Sequence, residues 1–395
     1  MSQSEVKKNE NIKTWKYGEE CWFKRLEELG KLQEHDLGAG DDLEIDHELV
    51  IQGQIYFNQN YFSVLVNMLI GLYSLMFVPT IVRILHLTGK SGTPALSFQR
   101  YLRTLNHTVT WFKGVDSMKS SLRQVLQLHR AAAAKGRNTV IEGKSISQFD
   151  MVITQWGFLG PLLMFPHKIG VKDTADSSLE GVVYMFYLVG KSLGVHDEFN
   201  LCKGGARLAK QRCQHILRQV IQPGLLNEGR ISRFMADHLL NGVNVINPFI
   251  FQDSFREYVE TVLMEKNFDS PALKGIMLFH FKTITFIFQT GLQLPGGLLL
   301  RVWFNQLMKL NILLCLDQED VIVKGLETIK SSPIDRFLGI MNIPVIMVKT
   351  FYKHLSIYIR TILEKRGKEV GALAVLFLVL AVSNLSVFNS VHIAT

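Results

Sequence analysis

Cysteine is scarce in this chain of 395 residues: there are four, Cys21, Cys202, Cys213 and Cys315, far apart and with no pair at metal-ligand or redox spacing. That excludes a disulfide scaffold, a zinc ribbon and a thioredoxin-type motif. No secretory pattern opens the sequence, and a reducing compartment is expected. Strand signals are sparse, and there is no internal repeat, low-complexity tract or heptad series. No serine sits in a nucleophile-elbow context, no His-Glu-x-x-His pair occurs, and no glycine-rich phosphate loop is present, which removes the commonest hydrolase, metalloprotease and nucleotide-binding readings. Between Glu48 and Asp116 there is not one Asp or Glu, and from Val50 to Val82 no charged residue of either sign.

What is present is apolar and, beyond the first fifty residues, basic. Hydrophobic residues make up 47% of the chain, enough to build a sizeable core, and the formal net charge is +8. The first fifty residues carry thirteen acids against seven bases, so the remainder is strongly basic. Its basic residues are interspersed with long apolar runs, which fits a membrane surface or an anionic cofactor better than nucleic acid.

Apolar positions recur at three and four residues between Gly and Pro punctuation, and an all-α, multi-helix globular fold is expected. Residues 1–45 read as a polar arm with an amphipathic piece around Trp22, Leu26 and Leu29. Residues 46–345 read as the helical domain, 346–369 as a basic amphipathic linker and 370–391 as a C-terminal transmembrane anchor. Lys353, Arg360, Lys365, Arg366 and Lys368 flank that last segment and place the body on the cytosolic side. Tyr61–Val82 is long enough for a membrane span but also reads as a buried helix, ended or kinked at Pro79. Thr283–Leu300 reads as two core helices joined by a turn at Pro295-Gly296-Gly297. A polytopic transporter is the reading that counts all three runs as spans.

Two predicted helices carry chemistry. Ser97–Phe112, opened by Thr93-Pro94 or by Ser97, places Arg100, Arg103, Thr104, His107 and Trp111 on one face. With no acid nearby in sequence, these arginines call for an anionic ligand or a distant carboxylate if buried. Lys119–Ala134, ending before Gly136, puts His129 on its apolar face with Leu122, Val125, Leu126, Ala132 and Ala133, while Arg123, Gln127 and Arg130 point away. By itself His129 reads as a core histidine or as a ligand beside which small alanines leave room for a flat group.

Together the two helices resemble a family of haem-dependent oxygenases, the ER-bound oxygenase of mycophenolic acid biosynthesis and the rubber oxygenases, or latex-clearing proteins. In the rubber oxygenases an Arg, then a Lys and Thr three and four residues on, precede the proximal haem histidine by about thirty residues. Arg100, Arg103, Thr104 and His129 follow that order here. The segments GQIYFNQNYFSVLVNMLIGLYSLMFVPTIVRILHLTGK, SQFDMVITQWGFLGPLLMF and YMFYLVGKSLGVHDEFN are similar to the family pattern as well, so the resemblance covers residues 45–300.

The resemblance implies haem b held by His129 as iron ligand and by Arg100 at a propionate, and oxidative cleavage or oxygenation of a lipophilic, isoprenoid-like substrate at an internal membrane such as the endoplasmic reticulum, with a redox partner. Arg103 stands where the family has lysine; being always protonated, it cannot ligate iron, and would donate to dioxygen or a second propionate, or form a structural ion pair. Thr104 would orient these groups or cap a carbonyl one turn back. The rubber oxygenases also use an upstream glutamate that has no counterpart here. That departure keeps a second reading open, a non-catalytic membrane-anchored haem or lipid-binding protein of the same fold.

Overall fold

The computed structural model describes residues 21–31, 44–137, 146–246, 251–266 and 273–328. Every element among them is helical and none is a strand, as the spacing of apolar residues predicts. The segments expected to be the basic linker, 346–369, and the C-terminal anchor, 370–391, lie outside the described residues. The chain divides within its penultimate described helix into two compact units, the first ending at Cys315 and the second beginning at Leu316.

The first unit opens with a short helix over 21–30 (α1), whose last turn, Leu26–Gly30, is π-wound. Trp22, Phe23 and Leu26 are buried and Leu29 is exposed, so the inward stripe is shifted from the expected one. Trp22 Nε1 donates to the carbonyl of Glu198 at 3.1 Å, and Arg25 pairs with the Glu198 carboxylate.

The core follows from α2 (His47–Gln59), α3 (Tyr61–Leu75), α4 (Pro79–Thr88), α5 (Pro94–Trp111), α6 (Val115–Arg137), α7 (Gln148–Met164) and α8 (Asp176–Ser192). Their starts are written in short polar residues: Asp46 accepts from the amides of Glu48 and Leu49, Thr93 from that of Leu96, and Ser147 and Asp150 form a reciprocal capping box. Pro79 and Pro94 occupy first-turn positions, where the missing N–H costs nothing.

The charge-free run is thus two helices: α3 ends at Leu75 and α4 leaves it at 95°. Nearly all of α3 is buried against protein, most closely α7, the buried-helix alternative for this segment. Two helix crossings bring glycine against glycine. A Cβ on Gly71 would lie 1.7 Å from the carbonyl oxygen of Gly157 in α7, and one on Gly53 in α2 would lie 2.6 Å from that of Gly181 in α8. Real atoms cannot approach so closely, so these backbones pack only because the side chains are absent.

Asn67, the one amide within α3, is fully buried at the same crossing. Pro161 inside α7 has no N–H to offer the Gly157 carbonyl and forces the helix open there. Asn67 fills the gap: its Nδ2 donates to the Phe158 carbonyl and its Oδ1 accepts from the Leu162 amide at 2.7 Å, the two groups that an unbroken helix would pair with each other. Farther along α7, Gln148 and Gln155 bond the loop after α8 at His196 and Leu201, and Trp156 Nε1 donates to the Cys213 carbonyl.

Beyond α8 come α9 (Ala206–Ile216), a π-wound turn Leu217–Ile221, α10 (Gln222–Leu226), α11 (Arg230–Ile246), α12 (Gln252–Leu263), α13 (Gly275–Phe286), a further π-wound turn Ile287–Gly291 and α14 (Gly297–Asp317). The helix-turn-helix expected around Pro295-Gly296-Gly297 is present. Its helices are not core helices, however: Phe279, Phe286, Leu298 and Leu299 are all exposed. By length and composition α14 can cross a membrane. The second unit contributes α15 (Glu319–Thr328).

Candidate functional site

Both chemistry-bearing helices form and pack on one another as neighbours in the chain. Helix α5 begins at Pro94 under the Thr93 cap and α6 runs on through Gly136 to Arg137, three residues past the expected end. Gly136 is buried, and a single helical glycine costs only about 1 kcal/mol relative to alanine, less than that packing returns.

Near the turn between them, Ser121 of α6 accepts from Trp111 Nε1 at 3.1 Å and shares a 2.8 Å hydrogen bond with His107 Nδ1. At the open end, Lys135 Nζ donates to the Thr88 carbonyl at 3.2 Å, and Arg100 Nη1 donates to Thr88 Oγ1 at 3.2 Å and Ser91 Oγ at 3.3 Å. These two clasps fix the register. His129 lies between Ser121 and Lys135, about 12 Å along the helix from the first, which sets it level with the stretch from Arg100 to Thr104. The four residues picked out in the sequence are therefore gathered on one helical hairpin.

Their environments differ. His129 is half-buried, on the side of α6 that buries Leu122 and Ala133, while Arg123, Gln127 and Arg130 are exposed as expected. Arg100 is half-buried and its hydrogen bonds go to two neutral hydroxyls; among the described residues no carboxylate pairs with it. Arg103 is exposed, and its charge reaches His107 one turn on. Thr104 Oγ donates to the Arg100 carbonyl at 3.0 Å, so its proton is committed to its own helix and only its lone pairs face outward. His107 is held neutral by burial first and by the Arg103 guanidinium second, both of which lower its pKa below the ordinary imidazole value. Its bond to Ser121 makes it part of the clasp.

Thr88, Ser91 and Ser121 are the partners the sequence did not single out. The turn Thr88-Gly89-Lys90-Ser91-Gly92-Thr93 carries the signal in part: Gly89 closes α4 in the left-handed conformation, and hydroxyls beside it are where a following helix's arginine can land.

The described residues contain no group of three or more His, Cys, Asp or Glu able to hold a bare metal ion. Haem asks for less, because the porphyrin supplies four ligands and the protein needs to give one. A single imidazole on an apolar helix face and a half-buried guanidinium facing only hydroxyls are the residue types that such a group requires, and in this sense the hairpin fits it. No protein-family model, no curated protein and no solved structure matches the chain.

Proposed function

We propose that this chain is a haem b-dependent, oxygenase-like protein that acts on a lipophilic, isoprenoid-like substrate at an internal membrane, the endoplasmic reticulum, with its body in the cytosol and a redox partner supplying electrons. The reading rests on the resemblance of residues 45–300 to the rubber-oxygenase family. The observation that carries it is the α5–α6 hairpin, in which helical rise from the Ser121 clasp brings the half-buried His129 to the axial height of Arg100–Thr104, and in which the half-buried Arg100 bonds hydroxyls and pairs with no carboxylate among the described residues.

Bound haem supplies the activation of dioxygen. His129, half-buried on the side of α6 that buries Leu122 and Ala133, would give one ring nitrogen to the iron. Arg100, steadied by Thr88 and Ser91, would hold a propionate through the planar fork of its guanidinium. Arg103, exposed one turn on, would donate to a second propionate or to dioxygen and cannot itself ligate iron as lysine can. Thr104 fixes the backbone between the two arginines. Helix α5 offers no carboxylate to remove an allylic proton, so that step is assigned to no residue.

The absent acid and the arginine at 103 also favour a second reading, a haem or lipid carrier that keeps the fold without turnover. Oxygen uptake by the haem-loaded full chain with a polyprenyl lipid and a reductant separates the two. Lipid-dependent uptake that disappears in His129→Ala supports the oxygenase; haem bound stoichiometrically with no uptake supports the carrier.

A further inference from the structure

The turn between α13 and α14 concentrates exposed apolar surface. Leu294 is 50% exposed, Leu298 58%, Leu299 63% and Val302 50%, and Phe286 at the end of α13 is 59% exposed. The end of α13 and the start of α14 come together here, since a Cβ on Gly291 would touch both Phe286 and Leu300, which is itself 42% exposed. On α13, Ile276 and Phe279 are exposed too, while Phe281 is the residue it buries. A helix apolar around its circumference that fully buries one residue and leaves Ile276, Phe279 and Phe286 bare is in the wrong solvent if that solvent is water.

The charges are one-sided. From Leu273 to Leu316 there is no Asp or Glu, and the ionisable cations are Lys274, Lys282, Arg301 and Lys309. A protein partner is met by one flat face, whereas lipid surrounds whatever enters it. Apolar side chains on several sides of a turn, flanked by Lys282 and Arg301, whose long side chains can reach back to phosphate, match the edge of an anionic bilayer.

How deep the element goes is set by the middle of α14. Asn305 is buried, its Oδ1 accepting from the Phe62 amide at 2.8 Å and its Nδ2 donating to the Gln59 carbonyl at 2.9 Å. Phe304 stacks on Phe62 and Lys309 lies over the Tyr61 ring. Between Phe304 and Lys309, then, α14 is fastened to the α2–α3 junction, and although its length and composition suit a span, its exposed first turns lie ahead of that anchorage. We infer that residues 286–302, the end of α13, the turn and the start of α14, form a shallow membrane-inserting tip for an anionic lipid surface. The inference does not depend on haem or on any other membrane segment.

The test reads this tip alone. In the full chain carrying Cys21→Ser, which removes the exposed native thiol, Leu299→Cys is labelled with the fluorophore NBD, and Ser177→Cys is labelled separately as an aqueous reference. Both proteins are placed in vesicles of phosphatidylcholine and phosphatidylserine. The proposal expects the label at 299 to be quenched by lipids carrying a quencher near the head groups and shielded from aqueous iodide. Three results would overturn it: quenching by iodide, as at 177, even though the protein is vesicle-bound; shielding from iodide without lipid quenching, which means that protein covers the tip; or strongest quenching from the bilayer centre, which means that α14 spans.

Discussion

Replacing Asn67 by leucine, similar in size and better suited to its apolar helix, should nonetheless destabilise the protein. Asn67 is fully buried and supplies both a donor for the Phe158 carbonyl and an acceptor for the Leu162 amide. Leucine leaves both groups without a partner, and Pro161 prevents α7 from closing to pair them with each other. Each buried orphan costs about 1–3 kcal/mol, and leucine returns part of that through its own burial, so a net loss of about 3 kcal/mol is expected. Urea denaturation of the full chain in a mild detergent, followed by far-ultraviolet circular dichroism, measures it. Ser74→Ala is the control: its hydroxyl is equally buried but bonds only the Ile70 carbonyl of its own helix, so its loss should stay near 1 kcal/mol or below. A loss no larger for Asn67→Leu than for Ser74→Ala would refute the idea that this amide splices the broken turn of α7.

At the neighbouring crossing, Gly71→Ala should lower the thermal midpoint, with a cost of about 3 kcal/mol or more, because the added carbon meets backbone that cannot yield. A thermal melt against Gly229→Ala, where a Cβ meets nothing nearer than the Ser232 hydroxyl at 4.0 Å, provides the comparison. Because burial lowers the His107 and His238 pKa values, the unfolded chain binds more protons below pH 6.5, and stability should fall as pH drops from about 6.5 through the depressed folded values. Denaturation midpoints across that window should show a shallower slope in His107→Gln. Arg100→Leu should weaken haem uptake on the order of tenfold to a hundredfold, with Arg100→Lys losing less, as read by Soret titration.

Much of the helical frame was legible because its signals are local: Thr93-Pro94 opens a helix whatever lies around it, and the stripe from Arg100 to Trp111 follows from 3.6-residue geometry. Asn67 is the one amide between Tyr61 and Val82, but its role is not legible there, since that depends on a proline 94 positions later in α7. The partners of Arg100 and His107 were hidden for the same reason: Thr88, Ser91 and Ser121 are ordinary hydroxyls until α4, α5 and α6 come together. The exposed leucines around 298 were misplaced in the core because hydropathy records a side chain's preference and is silent on which apolar phase receives it.

The haem reading turns on one imidazole. Haem titrated into the purified full chain, wild type and His129→Ala, with His107→Ala as a second variant, should give a Soret band of one haem per chain in wild type. That band should persist when His107 is replaced and be lost, or shifted to that of a weakly ligated haem, when His129 is. Equal occupancy and an unchanged spectrum in His129→Ala, or no Soret band in wild type, would contradict the account.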